Sequence, residues 1–163
     1  MVELDIDARV KELGLVLPPP LTLPPGATLP FPWVRVPGNR AYVSGHAPQA
    51  PDGSVAQPSG KVGSEVTLEQ AYEAARLTGL AILGSLQREL GTLNRVNAWL
   101  RAFGMVNVAP GFDRMPAVIN GFTDLSLAVY GEARGAHARS AVGMASLPFN
   151  IPVEIEAEVE IAI

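Results

Sequence analysis

From residue 153 to residue 163 the chain alternates without interruption. Val153, Ile155, Ala157, Val159, Ile161 and Ile163 share one parity; Glu154, Glu156, Glu158 and Glu160 share the other. A period of two marks a strand with one face in a core and the other turned away from it. The commonest reading of the four glutamates is that they meet water on an open antiparallel sheet.

The elements upstream supply what must cover the apolar face. Thr67 with Gln70 three residues on forms a capping box, and Leu68, Ala71, Tyr72, Ala75, Gly79, Ile82, Leu83, Leu86 and Leu90 recur at helical spacing until Gly91 stops the helix. Phe112 to Tyr130 reads as a second helix with Pro116 in its first turn, where a missing N–H is harmless. Strands are predicted over Trp33–Val36 and Arg40–Ser44, joined by the turn Pro37-Gly38-Asn39, then over Arg95–Phe103, Arg139–Ser146 and Val153–Ile161. The order β-β-α-β-α-β-β predicts an α+β sheet with both helices on one face.

Residues 1–30 differ in kind. The amphipathic segment Ile6 to Leu15 predicts a short helix, and the prolines that begin at Pro18 predict an extended arm on the domain or on a neighbouring subunit, a disordered tail being the alternative. Residues 31–163 make the domain proper. At 163 residues the chain can bury about 70% of its unfolded surface without a staple.

Composition narrows the function. No apolar run nears the 18 or so residues of a membrane span, the longest candidate being Gly79 to Leu86, and Val2-Glu3-Leu4-Asp5 opens with no basic stretch. A soluble cytoplasmic protein with no membrane partner is the expectation. The absence of cysteine excludes a disulfide framework and a thiolate nucleophile, and two histidines are too few for a metal centre, so neither metal nor cofactor is expected. A formal charge of −4 argues against nucleic acid as the main partner.

Arg139 opens the strand in which Arg139, Ala141, Gly143 and Ala145 share a face. Three of those four side chains are tiny, so the guanidinium stands beside open backbone, and its fork of donors suits a carboxylate. The spacing alone leaves an ordinary surface arginine as the commoner reading.

The stretch Ala138-Arg-Ser-Ala-Val-Gly-Met-Ala-Ser-Leu-Pro148, followed by Pro152-Val-Glu-Ile-Glu-Ala157, resembles the C-terminal signature of the RidA (YjgF/YER057c/UK114) family, some members of which carry the label endoribonuclease L-PSP. Tyr42-Val-Ser-Gly-His-Ala-Pro48 resembles the family's Ser-Gly-Gln-x-Pro segment, and the likeness covers about Phe31 to Ile163. The resemblance implies a chorismate-mutase-like fold that assembles as a homotrimer with small-molecule clefts between subunits. It implies hydrolysis of reactive enamines and imines, of the 2-aminoacrylate type, to 2-oxo acids and ammonia. Arg139 then falls on the carboxylate-binding arginine and Glu154 on the water-positioning glutamate, with Ser44, Gly45, Ala141 and Phe31 lining the cleft.

Several positions depart from the family pattern. Ala141 replaces Cys or Thr, Phe31 replaces Tyr, His46 replaces Gln, and the asparagine of the second helix aligns near Pro116. His46 is a possible extra proton donor. A non-catalytic trimer that binds a small carboxylate, such as a 2-oxo acid, is the alternative from another functional class.

Overall fold

The computed structural model describes residues 4–163; Met1, Val2 and Glu3, which open the predicted N-terminal segment, lie outside the described residues. A short helix α1 (Ile6–Glu12) precedes β1 (Val34–Arg35), β2 (Arg40–His46), α2 (Leu68–Leu90), β3 (Val96–Asn107), α3 (Met115–Gly135), β4 (Ala138–Met144) and β5 (Val153–Ile161). The predicted α+β order is therefore the observed one. The five strands form one sheet in the order β1-β2-β5-β3-β4. β4 runs parallel to β3, which requires the crossover that α3 provides; the other pairings are antiparallel.

Local chemistry sets the long helix. The N–H of Gln70 donates to Thr67 Oγ1 at 3.1 Å while the N–H of Thr67 donates to Gln70 Oε1 at 2.9 Å, satisfying two orphan donors reciprocally. Gly91 ends the helix in the left-handed region at φ 82°. Ala75, Ile82 and Leu86 of α2 and Val118, Ile119 and Phe122 of α3 are buried in one cluster with Ile155, Val159 and Ile161 of β5. A Cβ at Gly121 would collide with the backbone oxygen of Tyr72, so the close approach of α3 to α2 depends on that glycine.

Several boundaries differ from the sequence reading; α3 begins at Met115 rather than Phe112, and β4 runs from Ala138 to Met144 rather than from Arg139 to Ser146. β3 continues past Phe103 to Asn107, because Gly104, Met105 and Val106 pair with β4 on one side and β5 on the other, although they show little polar alternation. The last turn of α3 reaches Gly135 beyond a kink at Gly131, where φ is 71°. No helix among the described residues is long and apolar enough to cross a membrane.

The N-terminal arm lies along the helical layer. Pro18 carbonyl oxygen accepts from Arg88 Nη1 at 3.0 Å, Pro19 carbonyl oxygen from Gln49 Nε2 at 3.2 Å, and Thr22 N–H donates to Gly53 oxygen at 3.0 Å. Ile6 of α1 is fully buried and its N–H donates to Asn94 Oδ1.

His46, a possible proton donor on the sequence reading, belongs to this core. β2 extends through it rather than ending at Ser44, and a bulge after Val43 puts it opposite Ile155, on the helix side. It is 2% exposed and packs on Trp33 with ring centroids 4.8 Å apart. Since a carbonyl only accepts, Nδ1–H donates to Ser44 oxygen at 2.6 Å, and neutral Nε2 accepts from Ser85 Oγ at 2.8 Å. Burial drives its pKa down to about 4, the Ser44 carbonyl opposing and Arg88 assisting. The imidazole is neutral at physiological pH and sealed from solvent.

The folded chain thus binds fewer protons than the unfolded chain between pH 6.5, the ordinary histidine value, and about 4. Stability is complete above that window and falls through it by about 3 kcal/mol as the pH drops. In His46→Gln, urea melts between about pH 7 and about pH 4 should show a shallower acid loss of that order. An acid limb as steep as that of the wild type would assign the loss to other groups.

Candidate functional site

Arg139 is the second residue of β4 and pairs with Ala102, a fully buried residue of β3 that faces the helices. Its guanidinium therefore turns towards α3. Nη1 donates to Thr123 Oγ1 at 2.9 Å, and Nη2 donates to Asn120 Oδ1 at 2.7 Å and to Pro116 oxygen at 3.1 Å. Residues 116, 120 and 123 occupy one face of a helix, so α3 presents all three acceptors as a single surface. All three are neutral, and among the described residues no carboxylate lies within ion-pair distance of Arg139. A half-buried cation oriented by neutral acceptors keeps its charge for a ligand. Ala141, opposite Gly104, and Gly143, opposite Val106, continue the small-residue row.

Glu154 stands on the other side of the sheet. It pairs with Met105 in the alternation that sends Val153 and Ile155 into the core, so its carboxylate emerges on the face without helices. A Cβ at Gly45 would collide with that carboxylate, so Glu154 holds this position only while bare backbone stands there. Partial burial raises the Glu154 pKa, and neighbouring Glu156 raises it further. Ser44 is fixed beside it: its hydroxyl donates to Pro32 oxygen at 2.9 Å and its N–H to Trp33 oxygen at 3.0 Å. Phe31, 46% exposed, meets Trp33 edge-on at 5.8 Å. A shallow pocket of about 290 Å³ opens nearby between Ser44, Tyr42, Phe103 and Glu156.

The named residues thus form two groups within one chain. Ser44, Gly45, Phe31 and Glu154 gather at β2 and β5; Arg139 and Ala141 lie on β4. β3 intervenes, which separates β5 from β4 by roughly 10 Å, and the two charged groups point to opposite faces. No small ligand can touch both in a single chain. Among the described residues no group of three or more His, Asp and Glu is placed to hold a metal ion.

The sequence reading put the helix asparagine near Pro116. The structure instead brings Asn120 to Arg139, while Pro116 contributes its carbonyl. Thr123 and His137 were missed altogether. Helical spacing from Pro116 would have pointed to residues 120 and 123.

Comparison with known proteins agrees with this architecture. A family model described as "YjgF/chorismate mutase-like, putative endoribonuclease" matches residues 14–157, so the match takes in most of the arm. Protein TCP17 of Trypanosoma cruzi is 39% identical over 124 residues, 76% of either chain. The crystal structure of Atu1372 from Agrobacterium tumefaciens, described as of unknown function, is 40% identical with a TM-score of 0.81, over 97% of this chain and 92% of that one. A Shewanella oneidensis protein, described like the family model as an endoribonuclease, is 26% identical with a TM-score of 0.84, over 97% of this chain and all of its own. With a family model spanning most of its length and relatives near 40% identity, the chain belongs to the RidA (YjgF/YER057c/UK114) family.

Proposed function

We propose that the chain hydrolyses small enamine and imine carboxylates to 2-oxo acids and ammonia, at clefts that two copies of a homotrimer complete. The observation that carries this reading is the separation of Arg139 from Glu154. Each is oriented, each is half-buried, and neither can meet the other's ligand inside one chain. The β4 edge of one copy set against the β2–β5 face of the next supplies the missing half of the site to both. Closed cyclic symmetry repeats that contact three times and covers the glutamate-lined sheet face.

The chemistry needs no covalent enzyme intermediate. The enamine takes a proton from solvent at carbon and becomes the iminium ion, the form an imine substrate reaches by protonation at nitrogen. Water then adds its oxygen to the C=N carbon, giving one proton to Glu154 and leaving a carbinolamine. Return of that proton to nitrogen lets the C–N bond break; ammonia leaves, the hydroxyl gives up its proton to solvent, and the carbonyl forms. Arg139 holds the carboxylate, and positioning of the water supplies much of the rate. The raised pKa of Glu154 suits a group that must both take and return a proton.

A second reading, a non-catalytic trimer that binds a small carboxylate, draws on one specific finding. His46 is locked in the core and Ala141 offers no side-chain donor, which leaves Glu154 as the titratable side chain among the residues assigned to the cleft. An endoribonuclease, as the family model and the Shewanella relative are described, fits poorly with a net charge of −4.

Light scattering at micromolar concentration should give three chains per particle; a monomer would remove the composite site. Arg139→Ala should lose 2-oxobutyrate binding in calorimetric titration, by about 2 to 5 kcal/mol if the ion pair is desolvated, with an unchanged fold. Arg139→Lys should fail nearly as badly, because an ammonium cannot form the fork. Glu154→Gln should keep carboxylate affinity while release of pyruvate from 2-aminoacrylate falls; no loss of turnover would favour the binding reading.

Where each variant alone has lost turnover, refolding Arg139→Ala and Glu154→Gln together should restore about a quarter of the wild-type rate. That is the share of two-copy sites that receive both intact groups by random assembly. Failure of this mixture to recover activity, with trimers present, would place both groups in one chain's site or in none.

A further inference from the structure

Arg139 is held by more than the α3 face. His137, two residues earlier, sits over Phe122 and Trp99, with ring centroids 5.3 Å and 6.4 Å away. Its Nδ1 lies 2.8 Å from Gly135 oxygen and its Nε2 lies 3.1 Å from Thr123 Oγ1, the same hydroxyl that accepts from Arg139 Nη1. The carbonyl of Gly135 can only accept, so Nδ1 carries the proton and Nε2 of the neutral ring is an acceptor. The Thr123 hydroxyl must then donate to Nε2, which turns its lone pairs towards the guanidinium. The polarity of the whole chain follows from one backbone carbonyl.

We propose that His137 and Thr123 form a positioning relay, Gly135 oxygen to imidazole to hydroxyl to guanidinium, that orients Arg139 for its carboxylate and releases it when the imidazole is protonated. The proposal rests on the reading of Arg139 as the carboxylate-binding group, and adds two residues that touch Arg139 or each other rather than the ligand. A protonated ring presents N–H at both nitrogens. Nε2–H would then donate to Thr123 Oγ1, the hydroxyl hydrogen would be displaced, and two cations would converge on one oxygen. β3 faces the ring with Trp99, α3 with Phe122 and Thr123, and β4 with Arg139; of these Arg139 carries a charge. Burial is the main cause of a lowered His137 pKa, and the Arg139 charge assists while the Gly135 carbonyl opposes. The neutral ring is accordingly the resting state at neutral pH, and release belongs to the acid side of the ordinary histidine range.

The test is titration of 2-oxobutyrate by calorimetry across that range, in the otherwise wild-type chain and in Glu154→Gln so that the glutamate's own titration is separated. Thr123→Val removes the hydroxyl at constant shape and should weaken binding about tenfold at neutral pH, whereas Thr123→Ser should restore it. His137→Gln keeps an acceptor near the Nε2 position but cannot take up a proton. It should weaken binding at neutral pH by less than Thr123→Val does, and lose the acid fall in affinity. If wild-type affinity rises instead of falling on acidification, or if Thr123→Val and His137→Gln match wild type at every pH while Arg139→Ala still abolishes binding, the relay is overturned and the carboxylate reading stands. If Arg139→Ala binds as wild type does, both fall together.

Discussion

The register of β5 decides where every functional group in this chain points. β5 lies third of five strands, with β2 antiparallel on one side and β3 antiparallel on the other. Cross-strand partners share a face, so its alternation passes outward: Val159 opposite Ala41 and Ala157 opposite Ala102 are core pairs, and Glu154 opposite Met105 is not. The parity then crosses β3 to the edge, where Ala102 fixes Arg139 on the helix side. A slip of one residue would bury four carboxylates against α2 and α3, a cost of several kcal/mol for each buried unpaired ion. Separation of Arg139 from Glu154 is therefore a consequence of core packing rather than an independent feature of the site.

The two histidines solve the same problem in different places. In each, Nδ1–H is anchored on the carbonyl two residues earlier, Ser44 for His46 and Gly135 for His137; in each, Nε2 takes a hydroxyl, Ser85 or Thr123, that also accepts from an arginine. The first arginine, Arg88, goes on to hold Pro18 and so docks the arm. The second is Arg139. Partial desolvation lets such a relay act as a rigid support, because the neutral ring offers one donor and one acceptor in fixed directions. The difference is exposure: His46 is sealed in the core, where protonation costs stability, while His137 is only partly covered and its protonation reaches the surface group.

Local signals were legible and long-range ones were not. The capping box at Thr67, the stop at Gly91 and the alternation of Val153–Ile161 each depend on a few neighbours in sequence, and each is found as read. The tail of β3 was missed because Gly104 to Val106 become strand through pairing on both sides, which no short window contains. Arg139 and Glu154 were visible as residues in a motif, yet their opposite faces were not, since the parity of β4 relative to β5 is fixed only through β3. His46 falls outside the predicted strand Arg40–Ser44 because the bulge that carries β2 past Ser44 leaves no mark in the alternation. Asn120 escaped for a simpler reason: counting along the chain placed the asparagine at Pro116, whereas the face of α3 places it one turn later.

Both halves of the proposed cleft are built from near-bare backbone, and that limits what can enter. Gly45 has no room for a side chain beneath Glu154, and Ala141 and Gly143 leave the β4 edge low beside Arg139. Two such surfaces can approach closely enough for one guanidinium and one carboxylate to grip opposite ends of a molecule only a few atoms long. A larger ligand would hold the copies apart and lose the water that the proposed hydrolysis needs beside Glu154. Short substrates and close assembly thus become one constraint. With the proposed halves on different copies, ligand binding and association would be linked, each strengthening the other through the same contacts.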